Sequence, residues 1–457
     1  MRLCTLLGFV SLLLVCPVMA KPKPGDKPLT LHECINEALG RSPQLEAERY
    51  NLAAANEALK KARASILPNL TAVGDLQNLT GSPVGPFSVL GVNNVDVTGV
   101  RGGTTAKAPI RVSLATVGDG TAVIRYPLYE NGSILGLNNA PVVASAKSMY
   151  KRQQWTIRLS EQSVIETLAS VFFNTTAYLE KVDIDRQKVE LSQKRLEILK
   201  QELTLDLTLP QYVDLAKAEL QADQLALSAS EQRAMDSAMQ LAQLLGRPLN
   251  RTLTLDMTEP RIPTLPQLQG FVDLVASQHP AVGVQQANID IAQQNLRLAE
   301  AQLLPKVDFI TSYTGATAFG QQNPDLWFSA LRVEVPIFDF GHGLAAEREE
   351  RDKVKAAQAE LKQVDLDVRE SLLSEVSNIH TTESMIAAEE KTFLEAKNNV
   401  ALATERHEQG IGTELELVEA KETLAKARDE LILARLTQRL EYVRLQRLAG
   451  GVWAWNR

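Results

Sequence analysis

Two hydrophobic periods alternate along this chain. From about Ala144 to Leu205, and again from Leu344 to Gln409, no proline or glycine interrupts a pattern of helical spacing. Sixty helical residues at ~1.5 Å each reach ~90 Å, far beyond the diameter of a small domain. Each stretch then turns and returns: Leu207-Thr208-Leu209-Pro210 precedes a helix to Leu245, and Gly410-Ile411-Gly412-Thr413 precedes one to Leu448. Along the second return helix Leu417, Leu424 and Leu431 recur at seven-residue intervals with Ala420, Ala427 and Ala434 between them. That is an a/d seam whose small partners allow close helix packing. Val213, Ala216, Leu220 and Leu227 repeat it in the first return helix, degraded at Asp223 and Ser230.

Elsewhere the period falls to two. Leu331-Arg332-Val333-Glu334-Val335-Pro336-Ile337 alternates, and Val307-Asp308-Phe309 with Thr311 and Tyr313 starts a similar run. Ile110 to Thr116 and Ala122 to Leu128 supply the corresponding pair in the first half, giving four predicted strand regions. The segment from Gln77 to Gly118, rich in Gly, Asn, Thr, Val and Pro, reads as an exposed loop at the far end of that hairpin. A half-buried soluble sheet alternates in the same way. Strands of this length with aromatics near their ends (Tyr126, Tyr129, Tyr313, Trp327, Phe328, Phe338) also suit an outer-membrane barrel. Four strands cannot close one, so either each chain keeps a soluble sheet or several chains pool strands until no edge faces lipid. On the barrel reading Leu331, Val333, Val335 and Ile337 face lipid, and Arg332 and Glu334 face the lumen.

The order of elements repeats. Ser42-Pro43 and His279-Pro280 each open an Ala/Gln/Glu-rich helix that stops at a proline, Pro68 or Pro305, with the same interval of 25 residues in both copies. Tyr126-Pro127-Leu128-Tyr129-Glu130-Asn131-Gly132 matches Val335-Pro336-Ile337-Phe338-Asp339-Phe340-Gly341 proline to proline and glycine to glycine, and both copies end alike at Leu244-Leu245-Gly246 and Leu448-Ala449-Gly450. Helical composition does not set such proline intervals; duplication of one elongated module does. The first module covers 21–250, with a strand pair at about 69–129 and a helical hairpin at about 141–246. The second covers 251–457, with a strand pair at about 306–339 and a hairpin at about 342–450.

The first twenty residues read as an export signal: Arg2 is the positive start, Leu3 to Cys16 the apolar core, and Val18-Met19-Ala20 a cleavage site before Lys21. Cys16 follows Leu13-Leu14-Val15, a poor match to a lipid-acceptor site. Beyond this segment no long uncharged apolar run occurs, so any membrane crossing falls to strands.

Composition narrows the chemistry. With 48 Lys+Arg against 55 Asp+Glu the net charge is −7, which excludes a dedicated nucleic-acid binder. Cys4, Cys16 and Cys34 exclude a disulfide framework or a four-cysteine zinc site. His32, His279, His342, His380 and His407 show no metal-ligand spacing, and neither a nucleophile elbow nor a phosphate-binding glycine loop occurs. No catalytic site, cofactor or metal is therefore expected, and Gly341-His342-Gly343 reads as a strand-to-helix turn.

Leu29-Thr30-Leu31-His32-Glu33-Cys34-Ile35-Asn36-Glu37-Ala38-Leu39, the proline-ended helices, the strand motif ending Pro336-Ile337-Phe338-Asp339-Phe340-Gly341 and the Gly410-Ile411-Gly412-Thr413 turn together resemble the TolC-type outer-membrane efflux proteins, over residues 29–450. The resemblance implies a mainly α fold of duplicated long helical hairpins. Its four strands per chain would pool in a homotrimer into a twelve-stranded outer-membrane barrel, the helices continuing as a periplasmic tunnel. It implies a passive exit duct for drugs, metals or proteins, contacting outer-membrane lipid and served by a periplasmic adaptor (membrane fusion) protein and an inner-membrane transporter. It places adaptor docking at two hairpin tips, Asp206-Leu207-Thr208-Leu209-Pro210 and Gly410-Ile411-Gly412-Thr413. The first departs from the family pattern in having no glycine, so adaptor docking there either falls away or takes a different geometry. Glu405 and Glu408, just before the second tip, are candidates for an acidic ring at the aperture. Two classes compete: a secreted or periplasmic coiled-coil scaffold or adhesin without a channel, whose strands would pack on a soluble core, and a periplasmic adaptor, which should have one helical hairpin and is disfavoured by the duplication.

Overall fold

A computed structural model describes residues 28–79, 115–135, 140–248, 255–256, 268–318, 321–322 and 326–450. The expected leader 1–20 and most of the 77–118 loop lie outside the described residues. The elements run α1 (Leu31–Arg41), α2 (Pro43–Ala64), β1 (Asn69–Leu79), β2 (Ala115–Glu130), β3 (Ser133–Ile134), α3 (Pro141–Thr204), α4 (Pro210–Leu244), α5 (Leu268–Gln278), α6 (Pro280–Gln302), β4 (Lys306–Ala318), β5 (Gln321–Gln322), β6 (Leu326–Glu334), α7 (His342–Glu408) and α8 (Glu414–Leu448). Helix starts follow elementary rules. Thr30 and Glu33 close a capping box on α1. Prolines open α2, α3, α4 and α6, where the missing N–H has no intrahelical partner to lose. The described residues form two compact units: one takes residues up to 51, 154–284 and from 361 onward, the other 52–153 and 285–360. Each unit draws on both halves of the chain, so compactness cuts across the sequence repeat.

In the first unit the helices pack around two apolar clusters. Cys34 and Ala38 of α1, Leu168, Phe172 and Phe173 of α3, and Leu241 of α4 build one; Val275 of α5, Leu372 and Ile379 of α7, and Tyr442 and Leu445 of α8 build the other. The heptad seam of α8 buries Ala427, Leu431 and Ala434. Its polar counterparts on α4 face α3: Ser192 Oγ donates to Asp223, and the Thr175 and Ser237 hydroxyls pair at 2.6 Å. Close approach is required at Gly283, where a Cβ would lie 2.5 Å from the Trp155 ring.

The second unit holds an antiparallel sheet ordered β1-β2-β4-β6, with β3 at the end of β2 and β5 at the end of β4. Residues paired across an antiparallel ladder share a face. The registers therefore put Leu70, Ile124, Tyr126, Val307, Phe309, Tyr313, Trp327, Leu331 and Val333 on one face, with Thr311 and Ser329 among them, and Arg125, Lys306, Asp308, Ser312, Thr314, Arg332 and Glu334 on the other, with Ile310, Leu326 and Phe328 among them. On the polar face Arg125 pairs with Asp308 at 3.0 Å, and Thr121 meets Thr314 at 3.2 Å.

Two expectations are corrected. The first strand pair is Asn69–Leu79 with Ala115–Glu130: the expected strand Ala122–Leu128 lies inside the second of these, its partner is Asn69–Leu79 rather than Ile110–Thr116, and residues 110–114 lie outside the described residues. Gly118 and Gly120 break the side-chain alternation, yet the backbone ladder runs through both. The strand β6 stops at Glu334, so Val335 and Ile337 lie beyond it, exposed, ahead of a turn in which Phe340 and Gly341 both take left-handed backbone (φ 53° and 84°). Asn131 and Gly132 repeat this turn (φ 54° and 73°), as the matched sequence motifs require. After Gly341, α7 begins at His342, with Asp339 Oδ2 accepting from the Gly343 N–H at 2.6 Å. No described helix is long and apolar enough to cross a membrane.

Candidate functional site: the hairpin tips

Both tips lie in the first unit and are built by the same backbone device. At the end of α7, Gly410 has φ +70°, the Gly410 N–H donates to His407 O at 3.0 Å, and the Ile411 N–H donates to Arg406 O at 2.9 Å. This pair of bonds around one left-handed residue satisfies the carbonyls that the last helical turn leaves open. At the end of α3, Asp206 has φ +56°, its N–H donates to Leu203 O at 3.2 Å, and the Leu207 N–H donates to Glu202 O at 2.9 Å. Asp206 occupies the place of Gly410, because a short polar side chain tolerates left-handed backbone.

Beyond the shared turn the tips diverge chemically. Thr413 caps α8 by accepting from the Glu416 N–H at 3.1 Å, whereas Leu209 has no capping side chain and Pro210 opens α4 instead. Gly412 adds a second bond to Arg406 O at 2.9 Å, and a Cβ there would stand 3.1–3.2 Å from Arg406 and His407 atoms, backbone included. The first tip presents exposed Leu205, Leu207, Leu209 and Tyr212; the second presents exposed Ile411 among Glu405, Arg406, His407, Glu408 and Gln409. Glu405 and Glu408 sit three residues apart on the last turn of α7, and Glu405 Oε1 accepts from Gln409 Nε2 at 3.1 Å. Carboxylates at a helix C-terminus oppose the macrodipole by roughly 0.3–1 kcal/mol each, so helix stability does not account for them.

Behind the tips, charged side chains missed in the sequence tie the two hairpins together. Arg195 on α3 reaches Glu219 of α4 at 3.3 Å and Glu419 and Glu422 of α8 at 3.7 and 3.1 Å. Burial pushes the Glu422 carboxyl up, against the opposing pull of Arg195. Further along, Lys181 and Lys188 of α3 both reach Asp429 of α8, at 2.7 and 3.3 Å. In sequence these are ordinary charged residues on long helices; a charged residue on a seam-flanking position is the signal that marks them.

Comparison with known proteins agrees with this architecture. Residues 271–451 match the family model described as outer membrane efflux protein. The pyoverdine export outer membrane protein OpmQ of Pseudomonas putida is 25% identical over 334 residues, covering 68% of this chain and 67% of that protein. The alkaline protease secretion protein AprF of Pseudomonas aeruginosa is 25% identical over 187 residues, covering 39% of this chain and 38% of its own length. Among solved structures, the outer membrane protein VceC of Vibrio cholerae has a TM-score of 0.73 at 17% identity, covering 92% of this chain and 96% of that one.

Proposed function

We propose that the chain is an outer membrane efflux protein and that three copies pool β1, β2, β4 and β6 into one closed barrel, forming a passive exit duct across the outer membrane for an efflux or secretion system. The observation that carries this reading is the sheet. Among the described residues its outer strands β1 and β6 each have one long neighbour, and its apolar face leaves Leu70, Trp327, Leu331 and Val333 exposed. A soluble scaffold would cover that face with a core. A barrel closed by symmetry pairs both edges and turns the apolar face to lipid, with Arg125, Asp308, Arg332 and Glu334 toward water.

The helical hairpins then supply the periplasmic tunnel, and the two tips supply the docking surface for a periplasmic adaptor joined to an inner-membrane transporter. The exposed leucines of Leu205, Leu207 and Leu209 suit an apolar contact, and the charged second tip suits a polar one. Glu405 and Glu408, multiplied by three-fold symmetry, would ring the aperture with carboxylates that attract cations. The test is the assembly itself. Extracted from membranes, the protein should run as a heat-modifiable trimer from the outer-membrane fraction. Native mass measurement that finds monomers alone, or recovery in the soluble periplasm, would overturn the reading.

A further inference from the structure

Between α7 and α8 lies an acid pair that duct formation does not use. Glu375 and Glu441 are each 8% exposed, and their carboxyl groups are near enough for each to act on the other. Glu441 is compensated: Arg444 Nη1 donates to both of its oxygens, at 3.0 and 3.1 Å. Glu375 has no comparable cation, and its Oε1 is enclosed with no donor. The same helices bury an apolar cluster of Val272 and Val275 from α5, Leu372 and Val376 from α7 and Leu445 from α8.

Other charged and titratable groups on the elements packed here hold partners of their own, and His279 Nδ1 accepts from the Ala281 N–H at 3.1 Å. On α3, Glu166 accepts from Arg447 at 2.7 Å. Ahead of α6, burial and then the charge of Arg447 push the His279 imidazole down. Asp273 of α5 holds Arg369 of α7 at 2.6 Å. Glu383 of α7 accepts from the Tyr442 hydroxyl of α8 at 3.2 Å and pairs with His380 at 3.3 Å. Glu166 adds to the repulsion on Glu375, and the pull of Arg444 is weaker than the desolvation and the contact with Glu441.

Two carboxylates in contact in an apolar setting cannot both ionise. We propose that Glu375 and Glu441 form a proton-binding site, in which Glu375 stays a neutral acid at neutral pH and its O–H donates a hydrogen bond to the Glu441 carboxylate, and in which loss of that proton to solvent loosens the packing of α5, α7 and α8. Burial first, and then the Glu441 contact, pushes the Glu375 carboxyl from 4.5 up to about 8. Because the folded state holds this proton more tightly than the unfolded chain, the stabilisation is complete below the ordinary carboxylate range. It is lost as pH rises through about 8.

Infrared difference spectroscopy on the full-length protein in detergent reads the proton directly. Between about pH 6 and about pH 10 the wild type should lose a protonated-carboxyl C=O band, while Glu375→Gln should show no such loss and no fall of melting temperature over that interval. Glu441→Gln keeps the proposal falsifiable should the first variant fail to fold. It frees Arg444 to pair with Glu375, which then ionises, and the band should already be missing at neutral pH. A band that survives with unchanged midpoint in either variant, or one that titrates in the wild type near 4.5, the ordinary carboxylate value, would overturn the assignment.

Discussion

Replacing Arg195 by Met keeps most of the aliphatic stem against its neighbours and deletes the charge that α4 and α8 share with α3. The structure sets the expected size of the loss. Glu219 and Glu419 are 41% and 51% exposed, so their contacts contribute ~0–1 kcal/mol each. Glu422, 24% exposed and 3.1 Å away, lies closer to the buried limit, where removing one partner of a pair costs roughly 3–5 kcal/mol. Between these bounds we expect ~2–3 kcal/mol for Arg195→Met at neutral pH. The sign with pH follows from Glu422. Its carboxyl is already pushed up by burial and by Glu219, Asp223 and Glu419, and without Arg195 it rises further. The deficit of the variant is therefore full where Glu422 is charged and shrinks as acid neutralises it. Thermal unfolding of the detergent-solubilised protein in neutral and acidic buffers measures this, with Glu422→Gln and the double variant completing a cycle. The double variant should recover about half of the loss, because no enclosed charge is left behind. If Arg195→Met melts with the wild type in both buffers, or if the double variant equals the sum of the singles, the guanidinium does not hold the hairpins.

Val333→Arg should reduce assembled trimer, since Arg at the bilayer midplane costs roughly 2–4 kcal/mol, whereas Arg332→Ala on the opposite face should change permeation more than assembly; quantifying trimer on gels beside single-channel conductance checks both. Asp206→Gly should leave efflux and stability intact, because glycine takes left-handed backbone more easily, whereas Gly412→Pro removes the N–H that bonds Arg406 O and should impair efflux while trimer persists. Glu405→Gln with Glu408→Gln should lower cation selectivity in planar bilayers, and unchanged reversal potentials would place the aperture elsewhere. Cys34 is fully buried and its thiol is pushed up to about 11 by that burial, so it should resist thiol reagents in the native protein. After denaturation a processed chain should titrate one thiol, against three if the leader remains.

Much of this fold is legible in the sequence because its punctuation is chemical. Prolines at the first helical position, the Thr30 and Glu33 box and the matched Pro127 and Pro336 motifs each impose a backbone choice that no tertiary contact has to supply. Strand limits are less legible. Side-chain alternation stops at Gly118 and Gly120, but main-chain hydrogen bonds need no side chain, and β2 runs on through both. Alternation also continues past Glu334 to Ile337, although Pro336 offers no N–H to a ladder.

The tips show where local rules reach their limit. A search for glycine finds Gly410 and misses its counterpart, because the requirement is for left-handed backbone and Asp206 meets it without being glycine. Seam spacing has the same blind spot. It ranks Asp223 as a flaw in a heptad, yet Asp223 accepts from Ser192 on the facing helix, and a polar residue at a seam position fixes register at some cost in stability. Periodicity reports that a position faces a neighbour; it carries no information about which helix the neighbour belongs to. Arg195 has its partners 24, 224 and 227 positions further along the chain, so its role is set by the packing of α4 and α8 against α3 and emerges only once that packing is known.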